Sequence, residues 1–361
     1  MNDVRFTPLA VADYLRKVHR APEVAAVRVT PLGGGRQGDK GYGYGIPLRV
    51  DYELRGVPHR AVVESVRPGP FGHEHMADRA QQLLWAHDAF GRLPRHVRSL
   101  DVGAVRTSGE LVPLGNAEEL FMLAEFADGR EYADDLIALR AGGPLRPLDR
   151  ERADALCDYL VGVHRLKRAE PGLYLRRVRE LLGHGECIFG VADSYPAGGP
   201  VSFELLRDIE TRCVAWRWRL RERTARLCCV HGDFHPWNIL FREGADFSVL
   251  DRSRGEWGDA ADDVGCLALN YLFFSLQRSG RLEGGLRELW LGFWDRYLER
   301  TGDAGLLGVA APFLAFRALV MANPLWYPKL AEPVRATLLR FIVNVLDTER
   351  FEPARIDEYL T

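Results

Sequence analysis

Lysine is scarce in this sequence. The chain of 361 residues carries 48 basic side chains, nearly all of them arginine, and its lysines are Lys17, Lys40, Lys167 and Lys329. An excess of either charge is also missing, since 50 acidic residues leave a formal net charge of −2. Proteins that bind nucleic acid or anionic membranes concentrate positive charge on the binding face. The balance therefore argues against both kinds of partner.

Long apolar runs are missing as well. The first ten residues, MNDVRFTPLA, lack the apolar stretch of a signal peptide. No segment approaches the ~18 consecutive apolar residues that a transmembrane helix needs. The six cysteines form no C-x-x-C pair and lack the spacing of a disulfide framework. We therefore expect a cytoplasmic protein with reduced thiols and no membrane-embedded part.

The sequence changes character near residue 128. Before it, alternating apolar and polar residues predict strands, and two periodic stretches predict helices. The strand candidates are residues 24–32, 47–54, 60–66, 99–106 and 119–126, and the helix candidates are residues 8–20 and 73–90. This first part therefore predicts a mostly antiparallel sheet with one long helix.

Helical periodicity dominates the rest of the chain. The helix candidates are residues 150–168, 173–183, 203–227, 260–278, 284–300, 305–322 and 331–347, and a strand–loop–strand patch interrupts them at residues 227–250. We therefore predict an α+β protein with two lobes, a small β-rich lobe at residues 1–127 and a larger helical lobe at residues 128–361.

Polar residues stand at the ends of two apolar runs in this strand–loop–strand patch. The first run leads into His231, Gly232 and Asp233, with Asn238 five positions after Asp233, and the second ends on Asp251. A carboxylate such as Asp233 suits the orientation of a hydroxyl group and the acceptance of its proton. The oxygens of Asn238 and Asp251 are hard ligands of the kind that Mg²⁺ prefers. The pattern predicts phosphoryl transfer to a hydroxyl.

Two other interpretations apply to the same residues. His231, Asp233 and Asn238 would serve only to stabilise a polar turn, or His231 and His235, four positions apart, would bind zinc. Zinc ligands at this spacing normally share a helix face. Gly232 and Pro236 argue against a helix here, and therefore against zinc.

The segment HGDFHPWNIL, followed by VLDRSRGEWGDAADDV, resembles the aminoglycoside phosphotransferase and choline kinase-like superfamily, a branch of the protein-kinase fold. The resemblance covers most of the chain. It implies a nucleotide-binding N-terminal lobe and a helical lobe that holds the catalytic and acceptor sites. It also implies ATP or GTP and Mg²⁺ as cofactors, and an aminoglycoside-like or metabolic molecule as the hydroxyl acceptor.

The resemblance assigns roles to single residues. Asp233 matches the catalytic aspartate of the family, and Asn238 and Asp251 match its metal ligands. Asp263 would brace the catalytic loop through backbone N–H groups, with His231 as a further structural support. In the nucleotide site, residues 121–126 match the strand that enters the hinge between the lobes. The implied nucleotide-binding residues are Gly33, Gly34, Gly35, Gly38, Lys40, Glu125 and Ala127.

One position departs from the family pattern. The third strand normally carries a basic residue that holds the nucleotide phosphates, and the best alignment places Glu64 there. Three explanations stay open. The cation comes from elsewhere, Glu64 pairs with Arg79 in a charge-reversed arrangement, or the chain is a catalytically silent protein that binds a metabolite or partner. The candidate replacements are Arg36, Lys40, Arg60 and Arg67.

The acceptor is not identified by the sequence. Glu256, Asp259 and Asp262 lie close to the motif and would attract a cationic acceptor. They would equally cap and brace the helix that starts near Asp259. The arginine-rich stretch at residues 203–227 is compatible with an anionic acceptor instead.

Overall fold

The structure is a computed structural model that describes residues 5–32, 45, 47–69 and 71–361. The chain divides into two units, Met1–Ala124 and Glu125–Thr361. The sequence predicted a lobe boundary between residues 127 and 128.

Within its described residues, the first unit contains a three-stranded antiparallel sheet and two helices. Its elements are α1 (Pro8–His19), β1 (Val24–Pro31), β2 (Leu48–Leu54), β3 (Val57–Val63), α2 (Met76–Phe90), β4 (Gly103–Val105) and β5 (Leu111–Pro113). The sheet has the order β1–β2–β3, and β4 pairs with β5. Alternation along β2 buries Leu48, Val50 and Tyr52 because successive side chains of a strand point to opposite faces.

The β2–β3 hairpin turns at Arg55 and Gly56, which both have positive φ values of 53° and 74°. Two central residues in this conformation give the turn whose twist matches the flanking strands. The strand candidates at residues 47–54 and 60–66 therefore form an antiparallel hairpin.

One predicted strand of this region is wrong. Residues 119–126 form no strand, and residues 99–106 contribute only the short β4. A strand needs a neighbour that takes up its backbone hydrogen bonds, and no described residues pair with residues 119–126. The apolar character of the segment indicated a buried strand but says nothing about such a partner.

The second unit is mostly helical. Its helices are α3 (Tyr132–Arg140), α4 (Pro147–His164), α5 (Pro171–Gly183), α6 (Ile188–Asp193), α7 (Phe203–Leu220), α8 (Ala260–Ser279), α9 (Gly284–Thr301), α10 (Ala311–Ala322), α11 (Glu332–Asp347) and α12 (Ile356–Tyr359). The predicted α+β class, a small antiparallel sheet and a larger helical region, is confirmed. Sequence periodicity missed the short helices α3, α6 and α12.

Short strands interrupt the helices where the sequence motif lies. They are β6 (Arg130–Glu131), β7 (Cys228–Cys229), β8 (Ile239–Phe241), β9 (Phe247–Val249) and β10 (Trp257–Gly258). Two small sheets result, β6–β8–β9 and β7–β10. Helix α8 runs through the core beside them, and residues 260–276 of it are all buried. None of the helices in the described ranges is long and apolar enough to cross a bilayer.

Candidate active site

The loop after β7 begins with a sharp turn at Gly232. This glycine has a φ of +88°, and a Cβ atom placed on it would lie 3.3 Å from the Cβ of Arg254. Both the left-handed backbone and the close approach favour glycine. The turn carries the chain from the buried strand to Asp233, as the sequence motif suggested.

Asp263 holds this turn from the first turn of α8. Its Oδ2 accepts a hydrogen bond from the backbone N–H of His231 at 2.7 Å, and its Oδ1 accepts one from the N–H of Gly232 at 2.8 Å. The carboxylate is fully buried. Two acceptor oxygens on one rigid helix therefore fix the backbone N–H groups that determine the path of the loop.

A buried histidine completes the environment of Asp263. Nε2 of His164, on α4, lies 3.1 Å from Oδ2 of Asp263, and Nδ1 of His164 lies 2.7 Å from the hydroxyl of Tyr297 on α9. Burial alone would raise the pKa of Asp263, but the His164 hydrogen bond and the two backbone N–H groups lower it below its ordinary value. Asp263 is therefore held as a carboxylate.

The two carboxylate oxygens of Asp233 have different surroundings. Oδ1 accepts a hydrogen bond from Nη1 of Arg317, a buried residue of α10. Oδ2 faces Nε of Arg254 at 3.7 Å and Nε2 of His235 at 3.8 Å, which are both too long for a hydrogen bond. Within the described residues, Oδ2 accepts no hydrogen bond. It is thus the oxygen at which a hydroxyl group can bind.

These neighbours keep Asp233 ionised. Burial raises the pKa of Asp233, but the guanidinium groups of Arg317 and Arg254 and the nearby His235 ring outweigh it and lower the pKa below its ordinary value. For His235, burial is the largest cause and lowers its pKa, although Asp233 opposes this. The centre therefore combines a carboxylate of lowered pKa with an imidazole whose pKa burial lowers.

Arg317 links three parts of the site. Besides Asp233, its Nη2 donates to the carbonyl of Gly232 at 2.8 Å and to Oδ1 of Asp262 at 2.7 Å. These contacts tie the loop to α8 and α10 together. No sequence motif indicated Arg317. This arginine is nevertheless the one charge in an otherwise apolar helix, APFLAFRALVMA. A lone charge in a buried helix is the signal that would have found it.

Asn238 and Asp251 come together through the β8–β9 pairing. The N–H of Leu250 donates to the carbonyl of Asn238 at 2.8 Å, which places Asp251 next to the Asn238 end of the hairpin. Nδ2 of Asn238 donates to the carbonyl of Asp233 at 3.0 Å. This bond fixes the orientation of the side-chain amide and leaves Oδ1 of Asn238 as its free oxygen. Asp251 is exposed and has a positive φ of 54°.

The chemistry of these two oxygens fits Mg²⁺ rather than zinc. One amide oxygen and one carboxylate suit a hard cation whose other ligands are water and phosphate. In the described part of the chain, no three histidine, cysteine, aspartate or glutamate side chains are grouped as metal ligands.

The three acidic residues considered for the acceptor lie in different environments. Asp259 caps α8 through the N–H of Ala261, and its carboxylate also accepts bonds from Arg226 and Tyr174. Asp262 is buried against Arg317. Both carboxylates already accept bonds from protein donors, so a cationic acceptor would compete with Arg226, Tyr174 and Arg317 for them, and their contact with an acceptor stays a prediction. Glu256 is exposed.

The glycine-rich stretch that the sequence predicts to bind nucleotide lies outside the described residues. Gly33, Gly34, Gly35, Gly38 and Lys40 lie outside the described residues, as does Arg36. Glu125 is exposed and Ala127 is half-buried, and both lie in a segment without regular structure.

The Glu64–Arg79 pairing is wrong. Glu64 follows β3 and is exposed, and none of the described cations forms an ion pair with it. Arg79 instead donates to the carbonyls of His73 and Glu74, at 2.8 and 3.2 Å. A guanidinium that can bond to nearby carbonyls gains those bonds without reaching across to a separate element.

The sequence profile of the phosphotransferase enzyme family matches residues 48–300, and the chain belongs to this family. The chain is also 25% identical over 234 residues to a Pup–protein ligase of Corynebacterium jeikeium (strain K411), an alignment that covers 61% of this chain and 50% of that protein. The chain thus spans about half the length of this curated relative.

Solved structures of kinases are similar over nearly the full chain at low identity. An amicoumacin kinase, hAmiN, in complex with AMP-PNP, Ca²⁺ and Ami matches with a TM-score of 0.42 and 14% identity, covering 98% of each chain. A choline kinase, LicA, from Streptococcus pneumoniae matches with a TM-score of 0.35 and 12% identity, covering 92% of this chain and 96% of that one.

Proposed function

We propose that this protein is a Mg²⁺-dependent O-phosphotransferase. It would move the γ-phosphate of ATP or GTP to a hydroxyl group of a small molecule, either aminoglycoside-like or metabolic. The observation that carries the proposal is the asymmetric carboxylate of Asp233, with Oδ1 bonded to Arg317 and Oδ2 open beside the loop that Asp263 holds. Membership of the phosphotransferase family supports it.

In this proposal Asp233 orients the acceptor. The hydroxyl donates to Oδ2, and the carboxylate accepts its proton as the new O–P bond forms. The lowered pKa of Asp233 makes it a weak base. A weak base is sufficient, because phosphoryl transfer passes through a loose transition state in which positioning and charge neutralisation contribute most.

The other residues hold the reacting groups in place. Asn238 and Asp251 would hold Mg²⁺, which supplies charge neutralisation at the nucleotide phosphates. Asp263 fixes the N–H groups of His231 and Gly232 and so keeps Asp233 in one position. Errors of about 1 Å in such a position can reduce the rate on the order of a hundredfold.

The first experiment combines nucleotide binding with transfer. Mg–ATP and Mg–GTP are titrated against the full chain while its thermal unfolding is followed, and a panel of hydroxyl acceptors is screened for nucleoside diphosphate release. We expect stabilisation by nucleotide, and we expect Asp233→Ala to abolish transfer while nucleotide affinity persists. Asp295→Ala, an exposed aspartate on α9, is the matched control. Transfer that survives in Asp233→Ala would remove Asp233 from the proposed role.

A second candidate function is that of a catalytically silent protein that binds a metabolite or a partner. The observation that favours it is Glu64, an exposed carboxylate where the family carries a phosphate-binding cation. This candidate requires that neither Mg–ATP nor Mg–GTP stabilises the chain at millimolar concentration. If nucleotide binds, single changes of Arg36, Lys40, Arg60 and Arg67 would identify the replacement cation.

A further inference from the structure

Arg254 lies beside the catalytic candidate with one edge of its guanidinium group unused. Its Nη1 approaches the carbonyl of Glu186 at 3.5 Å and Sγ of Cys187 at 3.8 Å, and the group lies 5.3 Å from the ring centre of Phe316. Nε and Nη2 have no hydrogen-bond acceptor among the described residues. The side chain is only 18% exposed. Arg254 is therefore a positioned cation with two N–H donors, on Nε and Nη2, that lack an acceptor among the described residues.

The position of this edge relative to Asp233 decides what it can meet. Nε of Arg254 lies 3.7 Å from Oδ2 of Asp233, the carboxylate oxygen that accepts no bond. An acceptor hydroxyl bound to Oδ2 therefore brings its neighbouring substituent to Arg254. The Nε and Nη2 donors match the two oxygens of a carboxylate or of a phosphate group.

The charges around this point do not suit a cationic acceptor. Asp262 is occupied by Arg317, and Asp259 is occupied by Arg226 and Tyr174. Asp233 itself is shared with Arg317. Next to the open oxygen, Arg254 is thus a cation that forms a long ion pair with Oδ2 of Asp233 and whose Nε and Nη2 donate no hydrogen bond to any described residue.

We propose that Arg254 determines specificity by binding an anionic group, a carboxylate or a phosphate, that lies next to the hydroxyl to be phosphorylated. The acceptor class is therefore a hydroxy acid or a phosphorylated alcohol. This inference rests on the proposed function and names the acceptor for the same site. A group bound by Nε and Nη2 through two parallel N–H···O bonds would also fix the orientation of the hydroxyl toward Oδ2.

Binding is tested first, because it does not depend on turnover. Glycerate, gluconate and glycerol 3-phosphate are titrated against the full chain with Mg–ADP present, alongside glycerol, glucitol and 3-amino-1,2-propanediol. We expect the anions to bind more tightly than their neutral and amine counterparts. Arg254→Gln should weaken the tightest anion about tenfold, a loss of about 1.4 kcal/mol. Arg254→Lys should recover part of it, because it keeps the charge but not the fork.

Arg223→Gln provides the matched control, since it removes one exposed arginine of the same unit. It should leave every affinity unchanged. Absence of anion binding, tighter binding of the amine, or equal anion affinity in Arg254→Gln and Arg223→Gln would each overturn the proposal.

Turnover with the same panel separates this proposal from the proposed function. We expect the ratio of kcat/KM for an anionic acceptor to that for its neutral counterpart to fall about tenfold in Arg254→Gln and to stay constant in Arg223→Gln. Anion binding that depends on Arg254 without transfer to any acceptor would support the anion site and count against the phosphotransferase. Transfer that prefers the amine would support the phosphotransferase and overturn the anion site.

Discussion

Asp263 accepts hydrogen bonds from the turn that leads into Asp233, and the two carboxylates have opposite kinds of surroundings. Asp263 is 0% exposed and accepts bonds from two backbone N–H groups, with an imidazole against it. Asp233 is 14% exposed at its side chain, faces charged groups, and keeps one oxygen open. A carboxylate whose hydrogen bonds are all made to the protein stabilises the fold. One with an unused oxygen is available for chemistry.

The largest effect on stability should come from a change at Asp263, the enclosed carboxylate. In Asp263→Asn, one of the two backbone N–H groups meets an amide N–H₂ group instead of an oxygen, and a buried donor is left without an acceptor. We expect a loss of about 4 kcal/mol in the free energy of unfolding of the helical unit. Urea unfolding followed by tryptophan fluorescence measures it. The matched change Asp295→Asn, at an exposed position, should cost less than about 0.5 kcal/mol.

The pH dependence of stability sharpens this prediction. Because the folded protein lowers the pKa of Asp263, its contribution is fully present above the pKa of the unfolded chain. It is lost as the pH falls toward the folded pKa. Wild-type stability should therefore decline more steeply than that of Asp263→Asn on acidification. Parallel declines would mean that Asp263 does not change its proton affinity on folding.

The next largest effect should come from Arg317, which bonds to one carboxylate oxygen of Asp233 and not to the other. Arg317→Gln removes a buried charge and leaves Asp233 and Asp262 facing each other without it. We expect a loss of about 3 kcal/mol in stability. The pKa of Asp233 should rise, since Arg317 is the largest of the causes that lower it. The acidic limb of the kcat/KM profile for transfer should then move to higher pH.

Arg317→Lys is the control for charge. It keeps a cation near Asp233, although it cannot form all three bonds, so its pH profile should lie between those of the wild type and Arg317→Gln. A profile that does not move in Arg317→Gln, in a variant that still folds, would show that Arg317 does not set the protonation of Asp233.

The sequence predicted the parts of the site that are close along the chain. Asp233, Asn238 and Asp251 belong to one strand–loop–strand segment, so their spacing alone indicated a common site. Arg317 is 84 positions from Asp233, and His164 is 99 positions from Asp263. Such contacts depend on how the helices pack, which a single sequence does not encode locally. The roles of all these residues stay predictions.

The fold shows the same division between local and distant information. The long helices of the second unit were predicted, because an amphipathic period repeats over several turns. Two boundaries were less accurate, since residues 203–227 overrun the end of α7 and residues 305–322 begin before α10. The strand predicted at residues 119–126 is absent, because an apolar run indicates burial but not the neighbouring strand that must share its hydrogen bonds. The family resemblance and the α+β class were both confirmed.

The smallest effect on stability should come from changes at Asp251, which is exposed. Its φ of +54° is unfavourable for a residue with a Cβ atom. Asp251→Gly and Asp251→Ala both remove the carboxylate proposed to hold Mg²⁺, so both should lose Mg²⁺-dependent transfer. Asp251→Gly should nevertheless be more stable than Asp251→Ala by about 1 kcal/mol, because glycine accepts this conformation without strain. Urea unfolding of the two variants measures the difference.

The neighbouring residue Ser253 supplies the matched pair for that comparison. Its φ is not positive, so Ser253→Ala should be at least as stable as Ser253→Gly, the reverse of the order at Asp251. The same order at both positions would contradict the left-handed backbone at Asp251. If the orders differ as expected, Asp251 is held in a conformation that costs stability, whereas Asp263 stabilises the turn behind it. A strained open carboxylate beside an enclosed stabilising one is the arrangement expected where a site is selected for binding rather than for folding.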